Sequence, residues 1–199
     1  MSQGRAAMAV KAMLAAGAVF VLAGCSLGGK APKELYTLTP ARSAPAGATV
    51  NGTASTSLAV LEPGTPQRLG YTRIPVQVNP TTVEYLKDAT WTEKPARLFQ
   101  RLVSETIRAK GTRLVVGESD LQYAAAVKLT GQLTDFGYDA ASGSAVVRYD
   151  AVLQTADRQV RTKRFEATVP GVTATGPAVS AALNQAANQV AGEVADWVG

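Results

Sequence analysis

The sequence of 199 residues has no histidine and only one cysteine, Cys25. A lone cysteine cannot form a disulfide within the chain, and imidazole or multi-thiolate metal sites cannot be assembled. Catalysis by a Ser–His–Asp or Cys–His set is excluded for the same reason. Chemistry based on carboxylates, Ser–Lys or tyrosine stays open, and we expect no metal and no other cofactor.

Long apolar runs and dense charge are also missing from the body of the chain. After Cys25 no apolar stretch approaches the ~20 residues that a membrane-spanning helix needs. The net charge is +5, and Arg5 and Lys11 would be lost with a leader. No stripe of Lys and Arg with interleaved aromatics is present, so we expect no nucleic-acid binding.

The first 24 residues follow the plan of a secretory leader. Arg5 and Lys11 make its start positive, and the apolar stretch over 12–22 is too short for a stable spanning helix. Cleavage is predicted between Gly24 and Cys25, because small residues before the cysteine let an extended chain fit a peptidase cleft. The sequence therefore predicts a signal peptide of 24 residues.

The cleavage site, Leu22-Ala23-Gly24-Cys25, resembles the lipobox of bacterial lipoproteins. The Cys25 thiol would take a diacylglycerol and its freed amine a further acyl chain such as palmitate; several chains anchor stably where one is marginal. The alternative is an ordinary signal peptide with an incidental cysteine. Ser26 is not the aspartate that retains enteric lipoproteins at the inner membrane, so we expect an outer-membrane anchor facing the periplasm.

Beyond the lipobox we expect a lipidated tether over 25–33 and a single periplasmic domain over 34–199. The stretch 43–57 is rich in turn residues and is predicted to be a mobile loop. Pro75 would place its strand at a sheet edge or outside a central ladder, because proline lacks the N–H that such a ladder needs. Alternating or short apolar runs predict strands at 34–38, 58–61, 71–78, 83–86, 113–116, 124–136, 145–154 and 160–169.

Two segments have helical periodicity. The first runs from Pro95 to Lys110 and ends at Gly111, and the second from about Pro177 to Val198. The order of strands, helix, strands and helix predicts an α+β fold, an antiparallel or mixed sheet with two helices packed on one face as a two-layer sandwich.

The ordered set of motifs resembles a known family. After the lipobox come Tyr36-Thr37-Leu38, a Leu-Ala-Val-Leu strand at 58–61, Tyr85-Leu86 followed shortly by Trp91, the helix beginning Lys94-Pro95-Ala96-Arg97, the strand around Leu133-Thr134-Asp135-Phe136, and an alanine-rich last helix. Together these are similar to the auxiliary lipoproteins of ABC-type transport systems, the PqiC-like group.

The resemblance implies a non-enzymatic role. Members of this family work beside an ABC ATPase, a permease and an MCE-domain protein in systems that move phospholipids or other hydrophobic molecules between the two membranes. The expected partners are thus membrane lipid, through acylated Cys25, and an MCE-domain protein with its ABC permease complex. Self-association is left open, and no Walker-type glycine loop is present.

Several side chains have two readings. Trp91 is interpreted either as a contact for a partner or as an aromatic at the edge of the core, and the second interpretation is favoured. Trp197 is expected in the core. Asp135 and Asp139 would suit acid–base work but are more economically structural. The basic run of Arg158, Arg161, Lys163 and Arg164 is favoured as a solvated sheet face rather than an anion-binding patch.

Three functions compete: a tethered component of a lipid-transport assembly, a structural envelope lipoprotein without a transport role, and a small periplasmic hydrolase. The hydrolase is disfavoured because neither a nucleophile elbow nor a Ser-x-x-Lys motif is found. Neighbouring genes for an ATPase, a permease and an MCE protein would decide between the first two.

Overall fold

The computed structural model describes residues 34–116 and 125–199. The predicted leader, Cys25 and the tether lie outside these residues. The regular elements in chain order are β1 (Leu58–Val60), a short 3-10 helix (Gln67–Leu69), β2 (Arg73–Asn79), β3 (Thr82–Thr90), α1 (Pro95–Lys110), β4 (Val115–Val116), β5 (Val127–Asp139), β6 (Ser144–Gln154), β7 (Val160–Val169) and α2 (Gly176–Val198).

One long strand, β5, organises the sheet. Along one edge it pairs with antiparallel β6, which in turn pairs with β7. Its other edge is shared: the first half pairs with parallel β1, Gly64 bridges to Gln132, and the last residues pair with parallel β2. The described strands thus form a mixed seven-stranded sheet with β3 beyond β2 and β4 beyond β1.

Both helices cover one face of this sheet, and the α+β prediction is confirmed. The α1 helix has the predicted limits: Pro95 begins it and Gly111 ends it with a left-handed φ of 69°. Its buried positions recur at helical spacing, as in Phe99, Val103 and Ile107. The α2 helix buries alanines, and these small side chains bring its backbone close to β6 and β7.

One position of the long strand, Gly131, requires glycine. Gly131 has φ = 150°, and an added Cβ there would lie 2.1 Å from the Asp150 carbonyl oxygen of β6. A side chain is therefore excluded by strain and by direct overlap. Glycine allows the close pairing of β5 with β6 at this position.

The prediction that Pro75 places its strand at an edge is wrong, because β2 lies between β3 and β5. The ladder with β3 is irregular between Arg73 and Pro75, which accommodates the missing N–H. On the other side Gly137 of β5 makes room, since a Cβ there would lie 2.5 Å from the Pro75 carbonyl oxygen.

The predicted first strand over 34–38 is also corrected. Only Tyr36 has strand-like pairing, an isolated parallel bridge to Trp91. The following residues leave the sheet because side chains of the helix layer bind their backbone groups, as described below. The segment 43–57 has turns and no helix or strand. Other strands agree with prediction to within a few residues: β3 continues further than predicted, to Thr90, and β5 both begins and ends three residues later.

Candidate functional site: the tethered end and the open sheet face

The predicted site residues Gly24 and Cys25 lie outside the described residues. The structure does describe the stretch that follows them. Tyr36 is fixed by backbone bonds on both sides: its N–H donates to the Thr90 carbonyl at 2.9 Å, and its carbonyl accepts from Thr92 N–H at 2.8 Å. The chain therefore joins the folded domain at the end of β3.

From Tyr36 the chain crosses the helix layer as a strap, defined as residues 36–44. Asn188 of α2 holds it in both directions, accepting from Ala41 N–H at 2.7 Å and donating to the Thr39 carbonyl at 2.9 Å. Asn184, one turn earlier, accepts from Thr39 N–H at 2.8 Å. These amides replace a neighbouring strand, so the backbone polar groups of an irregular segment are satisfied.

The far end of the strap is bound to α1. Ala44 N–H donates to Glu105 Oε1 at 2.8 Å. Between strap and helix runs an open groove of about 500 Å³ with Leu38 and Leu102 in its walls and Arg101 and Arg108 among its polar residues. The strap thus connects both helices.

Trp91 lies at the junction of strap, sheet and core. It is 1% exposed, and its ring meets Tyr36 and Phe136 edge to face, with centroids 6.5 and 5.6 Å apart. This is the favoured core-edge position, worth about 1 kcal/mol per aromatic pair beyond area burial. A partner could touch the ring only if the surrounding segments moved.

Trp197 is half-buried at the end of α2. Its ring packs edge to face on Phe165, and the Arg161 guanidinium lies 5.3 Å from its centroid. Lys163 covers Phe165 from the same face at 4.7 Å. Arg164 points to the opposite face, as the alternation of a strand requires. The basic run is therefore not one patch.

The sheet face away from the helices has a charge network around Asp135. Arg68 Nη2 lies 2.6 Å from Asp135 Oδ1, and Arg148 donates to the other carboxylate oxygen. Arg148 Nε also donates to Glu166 at 2.7 Å. That bond, with help from the Asp135 charge, raises the pKa of Arg148, and it lowers the pKa of Glu166.

A second ion pair continues this face. Arg164 bonds both oxygens of Asp150, at 2.6 and 2.7 Å, and the hydrogen bonds lower the pKa of that carboxyl. Beside the Asp135 network is a pocket of about 200 Å³ with Pro75, Gln77, Val83, Tyr138 and Val146 in its lining. Asp135, Glu166 and Asp150 are each paired with a guanidinium, and these bonds lower the pKa of Glu166 and of Asp150, so neither of the two is arranged as a proton donor.

Asp139, the other candidate carboxylate, caps the β5–β6 turn. It accepts from Ser142 Oγ at 2.8 Å and Ala141 N–H at 3.0 Å, and the Ser142 bond lowers its pKa. In residues 34–116 and 125–199 no group of three or more His, Cys, Asp or Glu side chains is placed to hold a metal ion. No helix in the same ranges is long and apolar enough to cross a membrane.

These features define a class: a two-layer α+β domain whose N-terminal strap is locked onto its helices. The chain belongs to the family of ABC-type transport auxiliary lipoprotein components, whose model matches residues 36–195. The expected family is thereby confirmed. None of the curated proteins compared matches the chain.

Solved structures are similar over most of the domain. A Xanthomonas campestris protein of family model DUF330 is 25% identical, with a TM-score of 0.68, and the match covers 83% of this chain and 94% of that one. An uncharacterized protein at 13% identity has a TM-score of 0.62 over 83% and 100% of the two chains. A PelC dodecamer from Paraburkholderia phytofirmans is more distant: 16% identity, TM-score 0.42, and coverage of 71% and 90%.

Sequence reasoning missed the strap. The usable signal was the pair Asn184 and Asn188, which stand four apart in an otherwise alanine-rich helix. Residues at that spacing lie on one helix face. Amides at these positions can hydrogen-bond the backbone of an extended segment. The residues after Tyr36 are such a segment, because they pair with no strand.

Proposed function

We propose that this protein is a non-catalytic, lipid-anchored auxiliary component of an ABC-type system that contains an MCE-domain protein. It supports the movement of phospholipid or another hydrophobic molecule between the membranes, and thereby envelope integrity. Its anchor is acylated Cys25 after removal of a 24-residue signal peptide. The membership of residues 36–195 in the auxiliary family supports this role.

The strap is the observation that carries the proposal. Eight residues, 26–33, separate Cys25 from Glu34, and the nine Cα-to-Cα steps between them reach roughly 30 Å when the chain is extended. Because the strap is bound to α2 and α1, the tether gains no further length from residues 36–44. The domain then stays near its own membrane and needs a partner that bridges the periplasm.

Ser26 leads us to propose the outer membrane as the location. Fractionation of the native protein tests this directly: it should follow outer-membrane markers. Recovery with the inner membrane would remove the location while leaving the anchor itself standing.

The transport role is tested by genetics. Deletion of this gene, of the permease gene, and of both should give the same detergent sensitivity, since components of one pathway do not add. A double deletion more sensitive than either single one would favour the structural-lipoprotein alternative. A plasmid copy of the native gene should restore resistance, and a Cys25→Ala copy should not.

A further inference from the structure

The exposed large hydrophobic side chains are not scattered over the domain. Of the five such side chains among the described residues, four lie on or beside the β2–β3 hairpin. Tyr71 is 50% exposed just before β2, Val78 and Val83 are 38% and 37% exposed next to the turn, and Leu35 is 55% exposed beside Tyr36. The fifth, Val160, is on the edge strand at the other side of the sheet.

The hairpin also presents an aromatic and cationic cluster. Tyr71 and Tyr85 meet edge to face with centroids 6.0 Å apart, and the Arg73 guanidinium lies 5.1 Å from the Tyr85 centroid. Such side chains combine an apolar body with a polar tip, which suits a boundary between water and hydrocarbon. Near the turn, neighbouring residues of both strands are exposed.

The chain enters the domain beside Tyr71, at the end of the hairpin opposite its turn. Trp91 N–H donates to the Thr72 carbonyl at 2.7 Å, and Tyr36 bonds Thr90 and Thr92, so the segments that hold Leu35 and Tyr71 flank one short ladder. The next step rests on the proposed anchor at Cys25: the lipid on that residue keeps the bilayer within roughly 30 Å of this point. Exposed apolar side chains of this kind on a membrane-anchored domain mark a surface that contacts another apolar surface as well as water.

We infer that the hairpin side, defined as Leu35, Tyr71, Val78 and Val83, rests on the phospholipid bilayer that holds the anchor. The exposed charged residues on and beside the hairpin are of both signs: Arg73 and Lys87 are positive, and Glu34, Glu84 and Asp88 are negative. The contact is therefore apolar in origin and shows little dependence on salt or on anionic lipid. It fixes which way the helix layer points in the periplasm.

The test uses the full lipidated protein in phosphatidylcholine vesicles. The single native thiol is occupied by lipid in the anchored form, so one new cysteine carries one probe. Tyr71→Cys and Val160→Cys variants receive a polarity-sensitive fluorophore, with Val83→Cys as a second site on the hairpin. Flotation of the vesicles reports the anchor independently of the probe.

The inference predicts that the probes at 71 and 83 shift to the blue and are quenched several-fold more than the probe at 160 by a lipid-borne quencher. High salt and added phosphatidylglycerol should leave this difference unchanged. Floating protein with equal signals at 71 and 160, or a response at 71 only after addition of a partner protein, overturns the inference alone. Protein that fails to float overturns the anchor as well.

Discussion

The side-chain amide nitrogen of Asn188 donates to the backbone carbonyl of Thr39 at 2.9 Å, while the amide oxygen accepts from the Ala41 N–H at 2.7 Å. A helix side chain thus pairs with the chain leading to the proposed anchor as a strand would. Through this contact the strap is fixed to the helix layer.

Removal of this amide should release the strap. In Asn188→Ala two backbone groups lose their partners, a cost of about 1–2 kcal/mol, which the better helix propensity of alanine partly offsets. Global stability is therefore a poor readout, and hydrogen exchange over 36–44 is the better one. Exchange there should rise, and in the matched variant Gln185→Ala, on the exposed side of α2, it should not. Unchanged protection in Asn188→Ala would contradict the role of the amide.

The position of Gly131 on β5 should be intolerant of any side chain. Gly131→Ala puts a methyl group 2.1 Å from the Asp150 carbonyl oxygen at a positive φ, so we expect the free energy of unfolding in urea to fall by about 2 kcal/mol or more. The control is Gly192→Ala in α2, where no atom lies within 4 Å and φ is helical. That variant should be more stable than the native chain by about 0.5–1 kcal/mol. Equal stability of the two variants would contradict the described close approach of β5 and β6 at Gly131.

The open-face ion pairs predict a pH dependence. Arg148 lowers the pKa of Glu166 in the folded protein, so the pair stabilises the fold above the unfolded pKa of glutamate, and this stabilisation is lost as pH falls through the folded pKa. Arg148→Gln should cost about 1 kcal/mol at neutral pH and less in acid. Lys87→Gln, exposed on β3, should show no such trend. A cost for Arg148→Gln that is the same at both pH values would rule out the electrostatic origin.

The anchor depends on the thiol of Cys25. Replacement by alanine removes the acyl acceptor and the residue at which the lipoprotein peptidase cuts, so Cys25→Ala should show no palmitate label and should accumulate as precursor. Ser26→Ala serves as the control and should still be labelled. Label that persists in Cys25→Ala would mean that the lipid is attached elsewhere.

Much of the fold follows from pattern alone, and the exceptions have physical causes. The α1 limits could be predicted because Pro95 and Gly111 are local signals that need no tertiary partner. The interior position of Pro75 could not, since it depends on the missing Cβ of Gly137, which lies more than sixty residues away in the chain. The course of the strap could not be predicted either: the pattern over 34–38 predicts a strand, but the hydrogen bonds beyond Tyr36 come from side chains of the last helix.

The candidate site divides in the same way. The lipobox is a contiguous motif and can be recognised without a structure. The Asp135 network is long-range: Arg68 precedes β2 and Arg148 is on β6, so only the sheet brings them together. The hairpin side is identified by the exposed fractions of its side chains. The hydrophobic pattern does not predict these fractions, because a valine in a buried strand and a valine in an exposed hairpin give the same pattern.

In vivo photo-crosslinking tests the central claim most directly, that the protein serves an MCE-containing transport system. A photoreactive amino acid is placed at Thr37 on the strap, Val83 on the hairpin or Thr168 on the open sheet face of the lipidated protein in intact cells, and the products are identified by mass spectrometry. The account predicts a product with an MCE-domain protein from at least one position, lost in Cys25→Ala. Crosslinks to other envelope proteins or to lipid from all three positions, and none to an MCE-domain protein, would contradict it.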